Sequence, residues 1–374
     1  MEKKDMSNDK GVIVINYTGR KGGGVLDAYE MAKALVEQGQ RVVAIISKDV
    51  ENFYMWEKVA FEKLIPIKTY TNKMTFIINT LLFPLITKRR IRKECADMTI
   101  QAVYSPMVTQ WTVKINKIFG KAKKIMVCHD PEPHSGSNML NPLLIKDPYV
   151  GADIVIVHSK KFVEMIHKKY NRVKYIPLGR HNFYKNVTNK KTIVEYNPQQ
   201  VNFIFFGRVE QYKGIDILGS AYERLSKEFG DLISLTIVGN GNFSIYKEQY
   251  AKLKNVKVIN RWIKDEEVES VFLGDNIINV CPYKDATQSG VVLLAYDYGI
   301  PVIATATGGL VEQVQDEKTG LLIKPNDVES LYLAMKRFIE DREIYEKMQN
   351  EIQGFINGFN WENSAKQLVE IIQG

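Results

Sequence analysis

Residues 12–46 read VIVINYTGRKGGGVLDAYEMAKALVEQGQRVVAII, and this stretch decides the fold class. An apolar run at 12–16 leads into Gly19 and then Gly22, Gly23 and Gly24. Beyond them Ala28, Met31, Ala32, Leu35 and Val36 recur at helical spacing. The helix ends near Gly39, and 42–46 is a second apolar run of strand length. Strand, glycine turn, helix and strand make a βαβ unit. Further apolar runs at 124–128 and 152–157, each ahead of a polar loop, extend it into an α/β domain.

Near residue 176 the sequence changes character. Ile176-Pro177-Leu178-Gly179 closes a strand-like segment, and a polar stretch rich in Asn and Lys runs to Gln200. Apolar runs at 201–206, 233–238, 256–259, 277–281 and 301–304 then predict a second set of buried strands separated by helices. The 374 residues are too many for one ordinary core. The expected domains are 1–185 and 186–357. An amphipathic helix at 358–374, carrying Trp361, Ala365, Leu368, Val369, Ile371 and Ile372, is expected to pack back on the first. Two doubly wound, Rossmann-like sheets follow, with ligands outside the carboxyl ends of the strands and a cleft lined by strand-end loops.

Composition narrows the class. An apolar fraction of 45% and a charged fraction of 25% exclude a disordered or fibrous chain. Cys95, Cys128 and Cys281 are odd in number and lack CxxC spacing, which fits a reducing, cytoplasmic setting. Residues 1–10 are polar and charged and predict no secretory signal. The net charge is +8, but 43 acidic residues are interspersed among 51 basic ones and no binding module is recognisable, so nucleic acid is not expected as a partner.

The apolar-leaning segment that begins at Met74 is interrupted by Thr75, Asn79, Thr80 and Pro84, and it falls short of the roughly 20 residues of a spanning helix. Lys88, Arg89, Arg90, Arg92 and Lys93 follow at once. Two readings stand: a buried helix with a solvated basic end, which is preferred, and an interfacial segment on anionic lipid, peripheral at the inner face of a membrane.

Four clusters are candidates for chemistry. Arg208 and Lys213, in Gly207-Arg208-Val209 and Tyr212-Lys213-Gly214 after the 201–206 run, are two cations that can converge on a diphosphate. Gly239-Asn240-Gly241 is a G-x-G turn after a strand, readable as a ligand turn or an ordinary glycine turn. The stretch from Tyr283 through Asp285-Ala286-Thr287-Gln288-Ser289-Gly290-Val291 opens an apolar helix, whose first N–H groups suit phosphate or merely need a cap. His129-Asp130-Pro131-Glu132-Pro133-His134 is a stiff polar loop. It has histidine and carboxylate ligand types but no second cluster, so a loop lining the cleft is preferred to a metal site.

Together these residues resemble a family. From Phe206 on, G-R-V-x-x-Y-K-G at 207–214, the G-x-G turn, S-G-V-V-L-L-A-Y, G-I-P-V-I-A-T, G-G-L at 308–310, E-Q-V and T-G-L-L-I at 319–323 are similar, in order and spacing, to the second domain of the retaining GT-B glycosyltransferases of family 4. The glycine loop, the His-Asp pair and His158-Ser159 extend the likeness more weakly into the first domain. The resemblance is to members of the bacterial polysaccharide-assembly type.

It implies a hexosyltransferase that moves a sugar from a nucleotide-diphosphate sugar to a glycan or lipid-linked acceptor, with retention and with no cofactor. Arg208 and Lys213 would hold the leaving diphosphate and His129 would lie near the reacting sugar. Gly23 and Gly24 would lie near the donor phosphates or the acceptor. Gly207, Gly239, Asp285, Thr287, Gln288, Ser289, Gly290 and Val291 would complete the donor site. The family often carries two glutamates where this chain has Ala286 and Leu294. Asp285 is the substitute at hand for the first, and neither position can receive the ribose hydroxyls. No D-x-D cluster is present, so metal independence is expected. The alternatives are a catalytically silent nucleotide-sugar-binding subunit and a nucleotide-sugar epimerase or phosphorylase on the same fold.

Overall fold

The computed structural model describes residues 11–131 and 147–374. Residues 1–10, and Glu132, Pro133 and His134 of the His129 loop, lie outside the described residues. Two compact units divide the chain. The first holds the residues up to Pro131, those from 147 to Gly179, and Trp361–Gly374; the second holds Arg180–Asn360.

Among its described residues the first unit has a seven-stranded sheet in the order β3-β2-β1-β4-β5-β6-β7. Its strands are β1 (Val12–Tyr17), β2 (Val42–Ser47), β3 (Lys63–Ile67), β4 (Ile100–Ser105), β5 (Lys123–Cys128), β6 (Ile154–Val157) and β7 (Val173–Tyr175). The second unit has six strands in the order β10-β9-β8-β11-β12-β13: β8 (Val201–Phe206), β9 (Ile233–Val238), β10 (Val256–Ile259), β11 (Ile277–Cys281), β12 (Val302–Thr305) and β13 (Gly320–Ile323). Every neighbouring pair is parallel. In both sheets the chain winds outward one way and then reverses, so the order switches between β1 and β4 and again between β8 and β11. At such a switch the loops diverge and leave a crevice at the strand ends.

β1 and β2 are buried along their whole length, Asn16 and Ser47 included, as their near-continuous apolar sequences require once helices cover both faces. Helix α1 (Gly23–Glu37) buries Val25, Leu26, Ala28, Met31, Ala32 and Leu35. Its outer neighbour is α8 (Trp361–Gln373), whose buried side is Trp361, Ala365, Leu368 and Ile372. The Gln38 amide donates to the Glu362 carbonyl, and the Lys123 ammonium donates to the carbonyls of Ile371 and Ile372. The second unit is built on α4 (Ile215–Phe229), α5 (Gly290–Asp297), α6 (Val328–Glu340) and α7 (Arg342–Phe355).

Two sequence expectations change. The run at 256–259 is not a buried strand: β10 is an edge, with Lys257 and Val258 exposed, because only β9 pairs with it. The segment after Met74 is not a buried helix. It forms α2 (Lys73–Leu82), a π-helical turn (Phe83–Thr87) and α3 (Lys88–Glu94), and no residue of α2 is buried. Phe83 and Ile91 enter the core beside Ile65, Ile67 and Trp111, with Phe76 packed against it. The segment has two apolar faces, and a core on one side can take only one of them.

His158, at the end of β6, is buried, and its Nδ1 is 2.8 Å from the Ile176 carbonyl. Burial, with a smaller contribution from His129, lowers its pKa to about 4. An unfolded chain takes up that proton near 6.5, so between about 6.5 and 4 the unfolded state binds more protons and folding weakens as pH falls. Replacing His158 by Asn should flatten urea-measured stability against pH in that window, by up to about 1.4 kcal/mol per pH unit relative to the parent protein. Equal slopes would refute the assignment. Leu368→Ala, which empties the contact of α8, should cost about 2–5 kcal/mol in the same measurement.

Candidate functional site

The loops that leave β8 and β11 flank the switch point of the second sheet, and the backbone holds them very close. Gly207 sits at φ 131 and donates its N–H to the Val238 carbonyl at 3.0 Å. Gly239 sits at φ 149, and a Cβ there would lie 1.7 Å from the Gly207 carbonyl oxygen. The G-x-G turn is therefore a seat for the 207–209 loop, open only to residues without a side chain.

Gly214 repeats the device. At φ 70 it starts α4, and a Cβ would fall 1.9 Å from the Pro282 carbonyl oxygen. The Lys284 N–H donates to the Tyr212 carbonyl at 2.7 Å, so the two loops are joined by backbone. Lys213, half-buried between them, holds its ammonium 3.6 Å from the centre of the Tyr283 ring. Tyr283 is buried, which pushes its phenol well above the ordinary value and keeps it neutral. Its hydroxyl lies 3.3 Å from the Ser289 hydroxyl. Arg208 is exposed, with Nη1 2.6 Å from Glu210 Oε1, and Lys284 pairs with Asp216 at 2.6 Å.

Ser289 is the N-cap of α5 in extended conformation. Its N–H donates to Gln313 Oε1 at 2.9 Å, and its carbonyl accepts from Gln313 Nε2 at 3.2 Å. This corrects one expectation: the Ser289 N–H is held by the side-chain amide of Gln313, which leaves Gly290 and Val291 to supply the outward donors of the first turn. A Cβ on Gly290 would meet nothing within 4 Å, and Val291 Cγ2 lies 3.8 Å from the Cβ position of Gly207. The helix start thus adjoins the Gly207–Arg208 corner and faces open space. Gly308 approaches within 1.4 Å, as a Cβ, of the Ala286 carbonyl oxygen, and the Gly309 N–H donates to the Thr287 carbonyl at 2.9 Å. Thr287 is buried, Asp285 and Gln288 are half-exposed, and Ala286 and Leu294 are buried apolar contacts.

In the second unit the structure brings Lys213, Ser289, Gly290, Val291 and Gly207 together, while the Arg208 guanidinium is held by Glu210. Tyr283 heads the candidate stretch in the sequence, but its place under the Lys213 ammonium and beside the Ser289 hydroxyl, like the clamp of Gln313 on Ser289, comes from the structure alone. Gln313 lies inside the E-Q-V motif, but nothing in one sequence says that it reaches a residue 24 positions earlier.

In the first unit Gly22, at φ 92, is the glycine that the turn before α1 demands. Gly23 faces open space, and a Cβ on Gly24 would lie 3.0 Å from Met107 Cε. His129 follows β5, with Nε2 2.5 Å from the Pro106 carbonyl and its ring 5.2 Å from that of His158. Among the described residues no three His, Cys, Asp or Glu side chains gather as a metal site.

Residues 186–354 match the family profile of glycosyl transferases group 1. An uncharacterized glycosyltransferase of Methanocaldococcus jannaschii is 25% identical over 229 residues, covering 59% of this chain and 58% of the relative. Glycogen synthase of Thermodesulfovibrio yellowstonii is 32% identical over 179 residues, 46% of this chain and 34% of the enzyme. The chain thus matches less than two thirds of the length of these curated relatives. Among solved structures, sucrose-phosphate synthase from Thermosynechococcus elongatus superposes with a TM-score of 0.71 at 18% identity, covering 97% of this chain and 98% of that one. HepE of Anabaena in complex with UDP and glucose gives a TM-score of 0.71 at 17% identity, covering 98% and 100%. At that identity the likeness concerns the fold: the chain has the GT-B architecture of two Rossmann-like units, and its residues 186–354 match glycosyl transferases group 1.

Proposed function

We propose that the chain transfers a sugar from a nucleoside-diphosphate sugar to a glycan or lipid-linked acceptor, with retention of configuration and without a metal ion, in the assembly of a cell-surface polysaccharide. One observation carries this reading: the Lys213 ammonium, braced on Tyr283, lies beside the start of α5 at the switch point of a sheet within the family-matched residues. The complex of HepE with UDP and glucose supports a nucleotide-sugar donor.

Breaking the sugar–phosphate bond builds negative charge on the departing diphosphate. Groups that meet this charge lower the barrier only if they hold the leaving group more tightly than the intact donor. Lys213 supplies a full charge whose position is limited by the Tyr283 ring. Gly290 and Val291 supply N–H donors at the positive end of α5. Arg208 is engaged by Glu210 in an exposed ion pair, a weak contact that a diphosphate can displace. Because these cations take the role that a divalent ion plays elsewhere, transfer proceeds without one. Asp285 is the carboxylate assigned to the donor sugar. Ala286 and Leu294, which cannot accept hydrogen bonds, favour a second reading, a nucleotide-sugar-binding subunit without turnover.

Release of nucleoside diphosphate from a panel of donor sugars, with water or a supplied glycan as acceptor, separates the two readings. Transfer requires that Lys213→Ala lower kcat/KM by about 10²- to 10³-fold while circular dichroism and thermal unfolding stay those of the parent. A parent protein that binds donor yet releases no diphosphate would establish the silent subunit instead. Turnover is expected to survive excess chelator unchanged, and its loss on chelation with recovery on adding magnesium would overturn the metal-free mechanism.

A further inference from the structure

Seven of the eighteen exposed large apolar side chains among the described residues fall between positions 74 and 86: Met74, Ile77, Ile78, Leu81, Leu82, Leu85 and Ile86. Met74 and Leu81 are each 71% exposed. Scattered exposed leucines are ordinary, but a contiguous patch is not. Spacings of three and four residues place these side chains on one stripe of α2 and the π-helical turn that continues it. The stripe is not a misplaced core face, because the same segment already inserts Phe83 and Ile91 into the core and packs Phe76 against it. The anchored side fixes the orientation of the free side.

The charge around the stripe selects its partner. Residues 73–94 contain six basic residues, Lys73, Lys88, Arg89, Arg90, Arg92 and Lys93, and one acidic residue, Glu94. Glu94 is paired with Lys63 at 3.0 Å. Arg89, Arg90, Arg92 and Lys93 are exposed, and Lys114 holds its ammonium 5.8 Å from the Phe83 ring, adding a cation from a neighbouring element. Among the described residues no helix is long and apolar enough to cross a membrane. A short apolar stripe continued by a cationic helix is what an interfacial segment needs, with side chains entering the boundary of headgroups and acyl chains while Lys and Arg meet lipid phosphates. An acidic protein surface would answer the charges but leave the stripe wet, and a second copy of this chain would set cation against cation.

We propose that residues 73–94 dock this protein on a bilayer surface containing anionic lipid, with α2 in the interface and α3 over the headgroups. The docking stands apart from the donor-site reading. Flotation of the full chain with phosphatidylcholine vesicles, with and without phosphatidylglycerol, tests it at low and high salt. The parent should float with the anionic vesicles at low salt, and raising the salt should weaken binding several-fold. Ile77→Ser/Leu81→Ser/Leu85→Ser should lower partition about tenfold or more at unchanged circular dichroism, since none of the three residues is buried. Arg89→Glu/Arg92→Glu should reduce binding to anionic vesicles alone. Both variants should keep the nucleoside diphosphate binding or release of the parent. The proposal is overturned if the parent fails to float, if the triple variant floats equally, or if sedimentation shows a dimer that the triple variant dissolves while vesicles are ignored.

Discussion

Three missing side chains hold the second unit's strand-end loops in place. Gly239 lets the 207–209 loop lie against its backbone, Gly214 lets the Lys213 turn press on Pro282, and Gly308 lets its loop press on Ala286. In each case a Cβ would fall less than 2 Å from a carbonyl oxygen. These are contacts between backbones, and they cannot be relieved by choosing another rotamer. The arrangement of Lys213, Tyr283 and the start of α5 depends on them more than on any attraction among the functional groups. A strained φ at each of the three positions is the conformational cost, and glycine is the residue that bears it least.

Around this frame the polar groups are either held tightly or left accessible, with little between. Gln313 grips both polar groups of the Ser289 peptide and so fixes where α5 begins. The neutral Tyr283 phenol offers its ring to Lys213 and its hydroxyl to Ser289, joining cation and helix start through one buried side chain. Farther along α5, burial raises the Asp297 carboxyl to about 6 although Arg180 lies 3.6 Å away. That carboxyl prefers its proton in the folded state, so its contribution to folding is lost as pH rises through about 6. His158 in the other unit has the opposite dependence, and the two units do not share one acid response.

The fold was legible wherever strands are buried on both faces. The runs at β1, β2, β5, β8, β9 and β11 are mostly apolar, broken only by single polar residues such as Asn202 and Thr236 or led by a polar end such as Lys123-Lys124, and their sequence states their class. β3 and β4 were not legible: Lys63-Leu64-Ile65-Pro66-Ile67 carries a proline that only an edge strand tolerates, and Gln101 interrupts β4. β13 lies within the T-G-L-L-I motif but does not read as a strand from its sequence, since Gly320 weakens the pattern. The candidate site was legible as clusters, because glycines and cations at strand ends announce loops with a task. Which partner each polar group takes depends on contacts across long stretches of chain. The Arg208–Glu210 pair and the Gln313 clamp belong to that category, and so does the choice of which apolar face of residues 73–94 turns inward.

The return of α8 to the first unit has a consequence for how the protein is made. Synthesis delivers β1 and α1 ahead of the second unit, yet the helix that covers α1 lies beyond the whole of that unit, at Trp361–Gln373. While the second sheet is being translated, the outer side of α1 has no α8 beside it. Domains ordinarily mature in the order in which they leave the ribosome. Here the earlier unit must wait for the later one, and a nascent chain halted anywhere before Trp361 presents an uncovered helix to the folding machinery of the cell.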